Sequence, residues 1–277
     1  MLFMKKYLQF ALPAVIALTV ISCDKEDEDT PLIPTVVKEF SIPLSAKFEV
    51  PAPAGRNETG TATVQLLSNN SVKYTINVTG LASGDALTAA HLHAGNVATS
   101  AGIILGLNPV FSGSTATGTI EKVRTTLIDS LYNGTSDIYL NVHSTQAAAG
   151  LVRGQINATI EMAADVVMNA ANEVPAGTSA ATGLAIIRLT SDRKLYTSVT
   201  VSNLETLDAL TAAHYHKAAA GTNAGVFLGF YSSAADFGTV KINTLDLAQF
   251  TAIKTDPIYV NAHSTLKPGG VIRGQLR

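Results

Sequence analysis

The chain has 277 residues, 47% of them apolar and 14% charged, with a formal net charge of -2, one cysteine and no tryptophan. So apolar and weakly charged a composition excludes a disordered chain. The near-neutral balance gives no electrostatic footing for nucleic acid, and a single cysteine excludes an internal disulfide or a Cys-rich metal site.

At the N-terminus Lys5 and Lys6 precede an apolar stretch, Leu8 to Ile21, that ends in Ser22-Cys23. The stretch is shorter than the roughly 18–20 residues that span a bilayer, so residues 1–22 read as a signal peptide. Val20-Ile21-Ser22-Cys23 resembles a bacterial lipobox, in which Cys23 becomes the lipidated (palmitate-bearing) first residue. That predicts a lipoprotein of the bacterial cell envelope, held at the outer membrane through its N-terminal lipid. An ordinary signal peptide with an unrelated cysteine is the alternative. The acidic run Asp24 to Asp29 and the prolines Pro31 and Pro34 cannot build a core, so residues 23–38 are expected to be a solvated tether. Acidic runs in this position resemble surface-export signals of Bacteroidetes lipoproteins. Without residues 1–22 the chain keeps 17 basic and 21 acidic side chains, and much of the acidic excess lies in the tether.

The remainder repeats itself. Glu49-Val50-Pro51 returns as Glu173-Val174-Pro175, and Thr88-Ala89-Ala90-His91-Leu92-His93 as Thr211-Ala212-Ala213-His214-Tyr215-His216. Tyr139-Leu140-Asn141-Val142-His143-Ser144 returns as Tyr259-Val260-Asn261-Ala262-His263-Ser264, and Arg153-Gly154-Gln155 as Arg273-Gly274-Gln275. The order is kept while the offset drifts only from 124 to 120 residues, too long a period for a solenoid. Two tandem domains are expected, over residues 39–160 and 161–277.

Segments such as Thr61–Leu67, Val72–Val78 and Ile138–His143 alternate or run apolar with β-branched and aromatic residues, divided by turn signals such as Ser68-Asn69-Asn70-Ser71. An all-β fold follows, two β-sandwiches. Val123–Leu131 and Leu245–Ile253 lack strand alternation and are predicted as one short helical crossover per copy.

All six histidines fall in the repeated motifs, three per copy. On a strand His91 and His93 share a face, as do Tyr139, Asn141 and His143, and as do Arg153 and Gln155. The second copy divides the same way: His214 and His216, then Tyr259, Asn261 and His263, then Arg273 and Gln275. Two readings compete. If the imidazoles converge, they form a nitrogen set for copper or zinc with an open position, and Asn141 or Tyr139 (Asn261 or Tyr259) orients a ring. If they do not, the same groups form a hydrogen-bonded structural network. Glu49 and Glu173 are placed to pair with Arg153 and Arg273, tying the first strand to the last. No phosphate loop, nucleophile elbow or paired-carboxylate motif is present, so a non-enzymatic binding or structural role is favoured, with an unidentified partner.

Glu-Val-Pro, Thr-Ala-Ala-His-x-His, Tyr-x-Asn-x-His-Ser and Arg-Gly-Gln, in that order in both copies, resemble the CHRD family, named for a domain repeated in chordin. The resemblance implies an immunoglobulin-like β-sandwich in secreted or lipid-anchored bacterial proteins and no particular chemistry. The His-x-His strand is also similar to the copper-binding strand of Cu,Zn superoxide dismutase, with His91, His93 and His143 in the matching places. The dismutase zinc loop has no counterpart here, and the disulfide is impossible, which argues against that activity.

Overall fold

The computed structural model describes residues 33–277; the expected signal peptide, Cys23 and the acidic run lie outside the described residues. In the first copy, strands β1 (Val36–Ser45), β2 (Thr59–Leu67) and β3 (Val72–Thr79) bury alternate residues. Ile42 and Leu44, Val64 and Leu66, and Ile76 and Val78 point into one core while their neighbours face outward. Val36–Lys38, at the end of the expected tether, already belong to β1.

The other strands are β4 (Leu87–Ala94), β5 (Ile103–Gly106), β6 (Thr115–Ile120), β7 (Ile138–Ser144) and β8 (Val152–Gln155). They extend one antiparallel sheet in the order β5-β4-β7-β8-β1-β2-β3-β6. β8 meets β1 at a single pair, Arg153 opposite Ser45, and there the sheet turns from one layer to the other. The second copy repeats this order with β9 (Ile160–Asn169), β10 (Thr182–Thr190), β11 (Lys194–Ser202), β12 (Leu210–His216), β13 (Val226–Tyr231), β14 (Lys241–Thr244), β15 (Tyr259–Ser264) and β16 (Ile272–Gln275). Each copy is the expected all-β, sandwich-like domain with one short helix.

Both helices start two residues later than the sequence suggests. They span Thr125–Asn133 (α1) and Leu247–Thr255 (α2). Val123 and Leu245 are buried anchors ahead of the first turn rather than parts of it. In α2 the cause is explicit: the Asp246 carboxylate accepts from the Gln249 N–H, and the Gln249 side chain answers with the Asp246 N–H. Helix α1 stops at Gly134, whose φ of 65° suits the left-handed cap.

The two layers differ in a way that matters for the site. β7 is buried on both faces: Ile138, Leu140 and Val142 fill the core, while Tyr139 and Asn141 are covered from outside by loops. Fully burying one Leu, Ile or Val contributes about 1.5–3 kcal/mol. The core can therefore offset the cost of holding a polar face out of water.

Candidate metal centre

Register decides which polar side chains meet. His91 stands opposite Asn141 and Asn141 opposite Arg153; His93 stands opposite Tyr139 and Tyr139 opposite Gln155. His143 lies opposite Ala89, diagonal to His91, so a third ring arrives beside the first two. One ring nitrogen from each of His91, His93 and His143 lies within 4.8 Å of the others. His214, His216 and His263 form the same cluster in the second copy.

Backbone carbonyls select the nitrogen that each ring presents. A carbonyl only accepts, so His143 donates through Nδ1–H to the Ala148 oxygen (2.9 Å) and His93 through Nδ1–H to the Ala101 oxygen (2.8 Å). His143 Nε2 is then a lone-pair nitrogen, while His93 Nε2 faces the Asn141 side-chain oxygen. His143 Nε2 faces His91 Nδ1 at 3.0 Å. The second copy repeats this with His263 on Pro268 O, His216 on Ala224 O and Gly225 O, and His214 Nδ1 3.1 Å from His263 Nε2. Two nitrogens on one tetrahedral zinc, each ~2.0–2.1 Å from it, would be about 3.3 Å apart. The His–His separation is thus close to a coordination edge.

The supporting residues hold this geometry. Asn141 sits 2.9 Å from His93 Nε2, and Tyr139 stacks parallel to His93 with ring centres 4.8 Å apart. The Tyr139 hydroxyl accepts from the Ala101 N–H, fixing the carbonyl that in turn fixes His93. Asn261 and Tyr259 do the same for His216. The Asn141 atom that meets His93 Nε2 is its side-chain oxygen, which accepts from the ring, and a metal on Nε2 would displace that contact.

The expected ion pairs between Glu49 and Arg153, and between Glu173 and Arg273, do not form among the described residues. Arg153 is 1% exposed and places its guanidinium 3.4 Å from the Tyr139 ring centre. It donates to the carbonyls of Thr99 (2.8 Å) and Asn96 (2.5 Å). It is a strut for the loop over the histidines, with both terminal nitrogens engaged there and Nε without a partner. Arg273 likewise donates to Ala219 and Thr222 and stacks on Tyr259. Gln155 and Gln275 hold the start of the same loops through Gly95 O and Ala218 O. Glu49 packs its carboxyl over Gly150, where a Cβ would come within 2.7 Å of Oε1; Gly150 also has φ +148°, a conformation that a side chain would strain. Gly270 and Glu173 repeat the arrangement.

Burial sets the electrostatics. It pushes Glu49 up to about 7 against the opposing charges of Arg153 and Arg188, and Glu173 up to about 7 against Arg273. Burial and the neighbouring rings lower the pKa of His91, and burial is the main cause for His143, so both favour the neutral, ligating form; His214 and His263 shift the same way. For the carboxyls the folded state holds the proton more tightly than the unfolded chain, so their contribution is present below the ordinary value of 4.5 and lost as pH rises through about 7. At about 1.4 kcal/mol per pH unit, the loss is on the order of 3 kcal/mol per carboxyl. Denaturant titrations between pH 5 and 8 should show stability falling, and Glu49→Gln should flatten the fall. A slope unchanged in Glu49→Gln would contradict this. The histidines act in the opposite sense, removing stability only as pH falls below 6.5.

A group outside the expected site completes it. Asp85 accepts from the hydroxyls of Ser144 and Thr145, from the Gln146 N–H and from Arg56, fastening the turn that carries Ala148. The available sequence signal is Asp-Ala-Leu, repeated immediately ahead of Thr88 and Thr211. A cavity of about 780 Å³ opens beside the first triad, lined by His93, His143, Glu49, Pro51, Arg56 and Gln146. In the second copy the hollow beside Glu173 and Arg273 is about 280 Å³ and reaches no histidine.

A family model described as CHRD domain matches residues 40–156 and again residues 164–276. The chain is a tandem CHRD-domain protein. No curated protein and no solved structure matches it. Each CHRD domain carries its own histidine triad.

Proposed function

We propose that this protein is a non-enzymatic, envelope-anchored metal-binding module, with each CHRD domain holding one Zn²⁺ or Cu²⁺ ion on three imidazoles. One observation carries the reading. In both copies backbone carbonyls bond the Nδ1 atoms of two histidines, so that their Nε2 atoms and the Nδ1 of the third ring turn toward one point. A metal there would replace the His91 Nδ1–H to His143 Nε2 hydrogen bond and its counterpart in the second copy. An all-imidazole set suits zinc and copper, and three protein ligands leave a position open. The half-buried His91 and His143 give the ion a path from solvent. The contact of Asn141 on His93 Nε2 favours a second reading, a purely structural network that binds nothing.

Titration separates them. The metal reading expects near two equivalents of Zn²⁺ or Cu²⁺ per chain and a rise in melting temperature on loading. Absence of both, with either metal, overturns it. Anchoring rests on the lipobox-like ending at Cys23. Cys23→Ser should release the protein from membranes on fractionation, and a mutant that stays membrane-bound would refute the anchor.

A further inference from the structure

The two triads are built alike, but the loops around them are held by different means. In the second copy the loop carrying Glu173 is tied from within its own domain: the Asn223 side chain donates to Val174 O at 2.6 Å and its oxygen faces Arg273 at 3.3 Å. The position equivalent to Asn223 in the first copy is Ser100, as His93 and His216 each bond a carbonyl eight residues on, at Ala101 and Ala224. Ser100 lines the cavity, and the internal tie is missing.

Domain 2 supplies a replacement. Arg188, on the outward face of β10, is fully buried and donates to Glu49 O at 2.5 Å and to Asp165 Oδ1 at 2.7 Å. The other Asp165 oxygen accepts from the Ala52 N–H at 2.7 Å. One buried ion pair of domain 2 thus grips the Glu49–Ala52 wall of the domain 1 site. A second contact lies alongside: Val97 and Ala98, in the loop that ends at Ala101, pack against Tyr196, Ile160 and Ile186. Nothing comparable exists in the first copy, where Gln65 and Ser41 stand at the strand positions equivalent to Arg188 and Asp165, and Gln65 bonds Glu39 of its own domain.

We infer that domain 2 is a built-in brace for the domain 1 metal centre, with Arg188 as a positioning residue acting through the Glu49 loop and Tyr196 as one acting through the loop that ends at Ala101, so that the two centres are unequal and only the first depends on the domain contact. The inference rests on the metal reading above. The carbonyl of Ala101 sets which nitrogen His93 presents, and outer contacts of this kind typically change metal affinity about 10–100-fold.

Arg188 lies within domain 2, which makes the control sharp. With site 2 disabled by His214→Ala and His263→Ala, Arg188→Gln should weaken Zn²⁺ binding at site 1 by at least about 10-fold. With site 1 disabled by His91→Ala and His143→Ala, the same change should leave site 2 within about twofold. A merely structural role in domain 2 would instead harm site 2 first. Adding Ser100→Asn, the tie native to the second copy, should restore site 1 in the Arg188→Gln chain. Tyr196→Ala is the second variant, loosening the Val97 contact without touching a buried charge. In the metal-free full chain, amide exchange should rise over residues 50–54 in Arg188→Gln and over 97–101 in Tyr196→Ala, and stay unchanged over 174–177 in both. Unchanged exchange and unchanged site 1 affinity in Arg188→Gln, or equal losses at both sites, would overturn the inference. If neither site of the unmutated chain binds metal, the functional reading fails, and the exchange data still decide the brace.

Discussion

Replacing His143 by alanine should halve the metal content of the protein, from two ions per chain to one, and weaken binding at site 1 by at least about 100-fold, since loss of an outer contact alone costs 10–100-fold. His143 presents Nε2 to the centre with its other nitrogen fixed on Ala148 O, so its loss removes a ligand already in its ligating tautomer. The ring is half-buried and fills no part of the apolar core, so the fold should tolerate the change. His263→Ala should take the other ion, and the double variant should bind none. His93→Ala is a poorer probe because it also strips the stack from Tyr139 and the donor from Ala101 O. Titration with Zn²⁺ reads each outcome, and a His143→Ala chain that still binds two ions at unchanged affinity would refute the ligand assignment.

The largest stability effect should come from Arg153→Met. Methionine keeps much of the volume but none of the donors that satisfy Asn96 O and Thr99 O, and it loses the guanidinium stacked on Tyr139. Removing one partner from a buried charged network costs about 3–5 kcal/mol, while a surface arginine would cost almost nothing. Burial lowers Arg153 only to about 10, so it is still charged at neutral pH. Chemical denaturation of the metal-free protein measures the cost; a loss below about 1 kcal/mol would show that the loop stands without its strut.

Much of this organisation is legible in the residues. The repeated motifs mark two domains of one fold, and strand alternation puts His91 with His93 and Asn141 with His143 on shared faces. Alternation carries no register, however. That His143 lies diagonal to His91, with the two rings in contact, depends on the register that sets Ala89 opposite His143 and His91 opposite Asn141 in the β4–β7 pairing. The tautomers were out of reach for a different reason: they depend on main-chain carbonyls of Ala101 and Ala148, which the identity of an alanine does not advertise. Glu49 and Arg153 have the charges of an ion pair, yet Arg153 spends its donors on a loop lying between the motifs. Arg188 occurs in one copy only, on the outward face of a strand, where an arginine ordinarily meets water. Its role exists only because another domain covers it, and neither repeat nor periodicity encodes that.

X-ray absorption on the full chain loaded with two equivalents of Zn²⁺ reads the ligand atoms around each ion. Three imidazole nitrogens per zinc at ~2.0–2.1 Å, with the outer-shell scattering of histidine rings, is the predicted spectrum. A shell of oxygens alone, or one unchanged when His91, His143, His214 and His263 are all replaced by alanine, would contradict it.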